Sequence, residues 1–423
     1  MFTEVQRVRS LSQHPRLFVV VLLCAVLFNE RLLIAQLGSA KPEQTEHRIL
    51  KMDDAKFNDW LSRWEKEIIR EKGQRYCQSE MGEEIGWLMM PFLKGFYYGY
   101  LVTADTRWVD MLVNCTDAWI KRAVIEPDGY LGWPKIGAAG TDIDNLDNFR
   151  ADSLLGEAMA LRFVVLMSDA ILKIPALRER YDAKARNYVK FSEQIFNKWN
   201  ERGAWRSTEG DGMITVVLPY GIGQKADHWT RGYESRNAPG NGFSHQHNKA
   251  NLVACWLLAM YDATGKAVYR ERAEKWFRLM KSRMKPKDDD MYEIWNYWQP
   301  AGAWDYRFLF VPKHWIGVHP KAGYYDIDVD AIVTAYEHRI IFDSEDIMRL
   351  ARTALSEKRY WEALVPYNDE IQYIFEANQK PDSWHGLSAT PWYLALQVQL
   401  QCGNQVSNSP TESYQLAGCR PPR

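Results

Sequence analysis

Two stretches of this chain repeat one pattern, and that repeat constrains the fold more than any other feature. Tyr100-Leu101-Val102-Thr103-Ala104-Asp105-Thr106-Arg107-Trp108 and Tyr261-Asp262-Ala263-Thr264-Gly265-Lys266-Ala267-Val268-Tyr269 each read as a helix end, a short Thr-Ala/Gly turn and a new helix. The aromatic that opens the second helix is placed to pack back on the first, which makes each stretch the joint of an αα-hairpin. Helical spacing of apolar residues extends this reading over 51–71, 84–103, 106–123, 150–171, 176–199, 248–263, 267–284, 328–341, 344–357 and 387–401, with no convincing run of alternating strands. Helical hairpins set side by side either stack into an open solenoid or close into a ring. The segments 124–149, 200–247, 286–327 and 359–386 are long and rich in Gly, Pro, Trp, Tyr, Asp and Asn, as functional loops are. They argue for closure: an all-α (α/α)6 or (α/α)7 toroid with a cleft at one mouth, walled by these loops.

The chain has 423 residues, more than a usual domain, yet its helical patterning is continuous, so 41–402 reads as a single domain followed by a polar tail over 403–423. A hydrophobic share of 46%, a charged share of 25% and a net charge of -1 give no electrostatic reason to expect nucleic acid as a partner. The 18 tryptophans and 22 tyrosines depart from that ordinary background, and several lie in polar, loop-like sequence. Amphipathic rings in wet clefts suit the faces of sugars, although most of these rings are expected in the core. At the N-terminus, Arg7, Arg9 and Arg16 precede an apolar run from Leu17 to Phe28 and the small residues Gly38-Ser39-Ala40. Residues 1–40 therefore read as an export signal, or as an anchor if uncleaved, and the protein as periplasmic or secreted, with no stable membrane insertion otherwise. Cys77, Cys115 and Cys255 look like core residues, whereas Cys402 and Cys419 could pair in an exported protein. There is no metal-type CxxC spacing, and no metal or cofactor is expected.

The densest polar sequence is Gly240-Asn241-Gly242-Phe243-Ser244-His245-Gln246-His247-Asn248-Lys249, where a glycine-rich loop turns into a helix. Ser244 or Asn241 can serve as N-cap, which puts His247 in the first turn. There the free N–H groups and the helix pole favour an anion and disfavour imidazolium. A second cluster runs through Trp295-Asn296-Tyr297-Trp298-Gln299-Pro300-Ala301-Gly302-Ala303-Trp304-Asp305-Tyr306-Arg307 to His314 and His319. Tyr306 beside Arg307 matters most, because a phenol near a cation can exchange protons and a guanidinium can clamp a carboxylate. Further candidates are Trp133 as a sugar platform; Asn148 and Arg150, preceding a helix whose Asp152 and Glu157 could line the cleft; and His228, Arg231 and Tyr233 as subsite residues. Tyr325, with Asp326 and Asp328 beside it, and His385 complete the set; for the two aspartates capping is the favoured role, and for His338 a core one.

Helical hairpins, a loop-borne Gly-Phe-Ser-His-Gln-His-Asn and a later Asn-Tyr-Trp-Gln-Pro-Ala-Gly-Ala-Trp-Asp-Tyr-Arg resemble the (α/α)-toroid polysaccharide lyases of the alginate and glucuronan lyase type, most of all polysaccharide lyase family 38, over roughly residues 50–400. The resemblance implies β-elimination on an acidic polysaccharide. His247 and Asn248 would neutralise the uronate, Tyr306 would be acid or base, Arg307 would support the charge, and His245 would be a competing base. The adjacent Asn-His order of one alginate lyase group stands here reversed, as His247-Asn248.

Three other readings compete. A glycoside hydrolase on the same toroid would oppose Asp326 or Asp328 to Asp142, Asp144 or Asp305. A non-catalytic glycan-binding protein would use the aromatic loops alone. A metal site would take His245 and His247 with a distant Asp or His.

Overall fold

In a computed structural model the described residues are 54–70, 77, 82–126, 128–136, 150–207, 211–213, 243–287, 290–378 and 392–396, all within one compact unit. The expected leader and tail, Cys402, Cys419, Asp142, Asp144, Asn148, His228, Arg231, Tyr233 and His385 lie outside them. Along the described residues the α-helices run in order α1 (Asp54–Arg70), α2 (Met90–Thr103), α3 (Arg107–Lys121), α4 (Leu154–Lys173), α5 (Pro175–Glu201), α6 (His247–Thr264), α7 (Ala267–Arg283), α8 (Gly323–Glu337), α9 (Ser344–Ser356) and α10 (Asp369–Asn378). A π-helical turn over Ile85–Met89 leads into α2.

The helices alternate in character. α2, α4, α6 and α8 are apolar almost all round, as a buried helix must be, while α3, α5, α7 and α9 carry charge on one face. Each apolar helix packs on its charged successor, and α2, α4, α6 and α8 pack consecutively on one another. The result is an inner and an outer ring of antiparallel hairpins, an (α/α) toroid. Charged ties stitch the outer ring. Arg180 and Tyr181 of α5 hold Asp110 of α3 at 2.8 Å each, and Lys266 reaches Glu193 of α5 at 2.5 Å. Trp64 of α1 seats on α2 where Gly95 leaves room, since a β-carbon there would lie 2.1 Å from the indole.

The twin joints match atom for atom. Ala104 and Gly265 both adopt left-handed φ, 57° and 68°, and donate N–H to Tyr100 and Tyr261. Thr103 and Thr264 bond back to Gly99 and Met260, and each hydroxyl accepts the N–H two residues on. Trp108 and Tyr269 are buried as expected.

Several expectations change. Cys77 and Cys115 are joined in a disulfide, with Cα atoms 5.1 Å apart, while Cys255 is free and buried. The helix expected from 150 begins at Leu154, capped by Ser153, because Arg150–Ala151 pairs with Lys135–Ile136. α8 starts at Gly323 with Ala322 as a cap without side-chain bonds, so neither Asp326 nor Asp328 caps it. It ends at Glu337, and the part-buried His338 that follows as its C-cap bonds Thr334 and Asp262. Part of the expected loop 359–386 is helical, as α10. Among the described residues no helix is long and apolar enough to cross a membrane.

Candidate active site

The inner ring encloses a cavity of about 830 Å³. Met90, Pro91 and Lys94 of α2, and Met159, Arg162 and Phe163 of α4, form one side. Asn248, Lys249 and Leu252 of α6 face Tyr324, Asp326, Ile327 and Asp330 of α8. Glu83 and Trp87 at the π turn, Tyr297, Lys321 and Glu362 complete the wall.

Charge on this wall is nearly balanced. Lys249 pairs with Glu83 at 2.9 Å, Lys94 with Glu362 at 3.6 Å, and Arg162 with Asp330 at 3.0 Å. Asp326 differs. Burial first, and the neighbouring Glu362 charge second, push its carboxyl up to about 7, so near neutrality much of it is a protonated acid facing the cavity. Asp330 lies one helical turn further on the same face, where residues four apart have Cβ atoms roughly 5–6 Å from each other.

Asn248 also stands out. The residue is 1% exposed, yet among the described residues neither its Oδ1 nor its Nδ2 has a hydrogen-bond partner. Buried amides are ordinarily satisfied, so an orphan one on a cavity wall is a ready contact for a bound polar group. Tyr297 stacks on Tyr324 with centroids 5.2 Å apart and lies 4.7 Å from the His319 ring. Burial pushes the Tyr297 phenol up, which makes it a proton donor rather than a phenolate.

The two dense polar segments of the sequence do meet, through bracing contacts. Asp305, fully buried, accepts the N–H and hydroxyl of Ser244 at 2.6 and 2.7 Å and the N–H of Ala301 at 2.6 Å. Trp298 donates to the Ser244 carbonyl, Trp304 to its hydroxyl, and His314 bonds Gln246 at 3.2 Å. Ser244 is thus bound to Asp305 instead of capping α6, whose N-cap is Gln246 with no capping bond from its side chain.

His247 does open α6, but it is fully buried. Arg283 donates to its Nε2 at 2.7 Å, so the ring proton sits on Nδ1. Burial, and then Arg283, hold this imidazole far below its usual range. His245 is 4% exposed and held down to about 3 by burial and then Lys249. Tyr306 is 38% exposed in a loop and pairs backbone to backbone with Pro312; neither it nor the exposed Arg307 belongs to the cavity wall. Among the described residues, then, Asn248 alone of the lyase's catalytic candidates reaches the cavity, Asp326 alone of the hydrolase's, and Tyr297 alone of the binding ones.

Trp133 is a core residue stacked on Trp119, Trp298 is fully buried, and Tyr325 braces Trp295 and His319. Asn296 and Trp304 are half-buried off the wall, and Arg150 lies in a strand. Asp152 and Glu157 do not line the cavity: they are buried against Lys198 at 2.7 and 2.5 Å. Asp328, buried, accepts from Asn251 and Trp295. Among the described residues no cluster of His, Cys, Asp or Glu has the form of a metal site.

No family model and no curated protein matches this chain. Among solved structures, an inactive variant of the α-1,6-mannanase GH76A of Salegentibacter sp. HEL1_6, in complex with α-1,6-mannotetrose, is similar over 87% of this chain and 93% of its own, with TM-score 0.40 and 11% identity.

Proposed function

We propose that the chain is a glycan-degrading enzyme, a glycoside hydrolase whose substrate occupies the axial cavity. The observation that carries this reading is Asp326, a half-buried carboxyl held near neutrality on a wall that also presents Asp330. Glycoside hydrolysis needs one carboxyl that is an acid at working pH and one that is a base or nucleophile. Asp326 delivers its proton to the glycosidic oxygen as the C1–O bond breaks. Asp330, in its ion pair with Arg162, meets the positive charge that develops at C1 and either attacks it or takes a proton from the water that does. Trp87, Tyr297 and Tyr324 offer ring faces to the sugar, and Asn248 offers its unsatisfied amide to a hydroxyl. Because Lys94, Arg162 and Lys249 already hold carboxylates, a neutral glycan suits the cavity better than a polyanion. The Cys77–Cys115 disulfide fits an exported protein.

A second reading, β-elimination on a uronate polymer, draws on the same Asn248 as the group that neutralises a carboxylate, with Tyr297 as proton donor and His319 beside it. Incubation with α-mannan, β-glucan, alginate and glucuronan separates the two. New reducing ends without near-ultraviolet absorbance support hydrolysis; an absorbing unsaturated product transfers the site to elimination. Neither signal from any polymer, with the protein folded, overturns both.

A further inference from the structure

The segment that follows the cavity carries an aromatic path outward. Tyr297 and Tyr324 line the cavity, and the His319 ring lies 4.7 Å from each. Beyond it Trp315 meets His319 edge to face, at 6.1 Å and 78°. Trp315 is 50% exposed, unlike the buried tryptophans of the core.

This indole is held, not loose. It lies over the backbone of Gly317, where a β-carbon would stand 2.6 Å from Cζ2, so only glycine permits the contact. The Gly317 carbonyl accepts the N–H of Tyr297 at 2.7 Å, and the Trp315 carbonyl bonds His314 Nδ1 at 3.1 Å. His319 accepts the Lys321 N–H on Nδ1 at 3.0 Å, and its own N–H donates to Tyr325. One side of the indole is therefore fixed against protein while half its surface meets solvent. Exposed rings pinned in this way lose little entropy when a flat ligand stacks on them.

We infer that Trp315 is the platform of an outer sugar subsite, reached from the cavity through His319, so that a longer oligosaccharide is gripped both at Asp326 and at Trp315. The inference rests on the glycan reading above and extends it to chain-length selection. No bond is made or broken at this position; Trp315 positions a sugar unit remote from the reacting one.

The test measures binding, by titration calorimetry, of three-unit and six-unit oligosaccharides of the α-1,6-manno, β-1,4-gluco and β-1,4-glucurono series to Asp326→Asn, with and without Trp315→Ala, Trp315→Phe or Gly317→Ala. The expected result is that one series binds about tenfold tighter as the six-unit than as the three-unit. Trp315→Ala then reduces that ratio to about twofold or less, with three-unit affinity unchanged. Trp315→Phe keeps most of it, and Gly317→Ala, which displaces the indole without removing it, reduces it. If six-unit affinity survives Trp315→Ala, or both lengths weaken equally, the outer subsite is refuted while the cavity remains a glycan site. If no series binds any of the proteins, the glycan reading fails and the subsite with it.

Discussion

Glu126→Gln tests the buried charge network behind α4 and α5 without any knowledge of substrate. Lys198, Arg202 and Glu157 have at most 1% exposure, Glu126 has 2% and Asp152 has 3%. Two cations are thus surrounded by three buried carboxyls, with Asp128 also bonding Arg202 from a wetter position. Full ionisation would leave surplus negative charge in a dry place, so a proton must be retained. It belongs on Glu126: Oε2 accepts from Arg202 at 2.6 Å, Oε1 has no donor among the described residues, and burial followed by the Asp152 charge pushes the carboxyl up to about 9. Burial pushes Glu157 up too, yet both its oxygens accept, from Lys198 at 2.5 Å and Trp199 at 2.6 Å, which is the geometry of an ionised group. Glutamine has the shape of protonated Glu126 and stays neutral. In the unfolded chain a glutamate titrates near about 4.3, so the folded wild type holds a proton that the unfolded chain has lost. That contribution is fully present below about pH 4.3 and declines as pH rises toward about 9. Glu126→Gln should match wild type within about 1 kcal/mol near pH 4 and then gain on it by up to about 1.4 kcal/mol per pH unit. Urea midpoints followed by tryptophan fluorescence at pH 5, 6, 7 and 8 measure the difference. A variant about 2 kcal/mol less stable than wild type at pH 7, the mark of a lost ion pair with Arg202, would refute the reasoning.

Lys198→Met removes the cation that Asp152, Glu157 and the Leu131 carbonyl share, and should cost about 3–5 kcal/mol in the same assay. Asp326→Asn should lower turnover at least about a thousandfold with an unchanged circular dichroism spectrum. Activity should fall as pH rises through about 7, where the Asp326 acid is lost, and Glu362→Gln, by removing a neighbouring negative charge, should move that limb of the kcat/KM profile to lower pH. Asn248→Ala breaks no hydrogen bond within the described residues, so it should leave stability within about 1 kcal/mol while weakening oligosaccharide binding about tenfold or more. Asp305→Ala strips Ser244 and Ala301 of their acceptor and should destabilise by about 2–4 kcal/mol, whereas Tyr306→Phe, on the exposed side of the same loop, should leave kcat and Tm near wild type.

The hairpins were legible because their joints are local chemistry. A threonine that bonds back one turn and a residue able to take left-handed φ suffice to end one helix and start the next, as at Thr103-Ala104 and Thr264-Gly265. The Cys77–Cys115 pair had no such signature, since 38 residues separate partners that only tertiary packing brings together. The site was half legible. That the histidine segment and the tryptophan segment converge could be read from their composition, but side-chain type does not say whether a group faces the cavity or braces the loop beside it. His247, Trp298 and Asp305 brace; Asn248 and Tyr297, their immediate neighbours or near ones, line the wall. The signal that would have found the wall lay elsewhere. Lys94 stands alone among the apolar residues of α2, Arg162 within an apolar run of α4, and Asp326 and Asp330 within α8. A charge on a helix buried on every side is expensive unless it meets a partner or a water-filled space, and in a ring of inner helices the axis is that space. Charged residues inside the inner helices, paired across from one helix to another, therefore mark where the ring is hollow and what chemistry its hollow can hold.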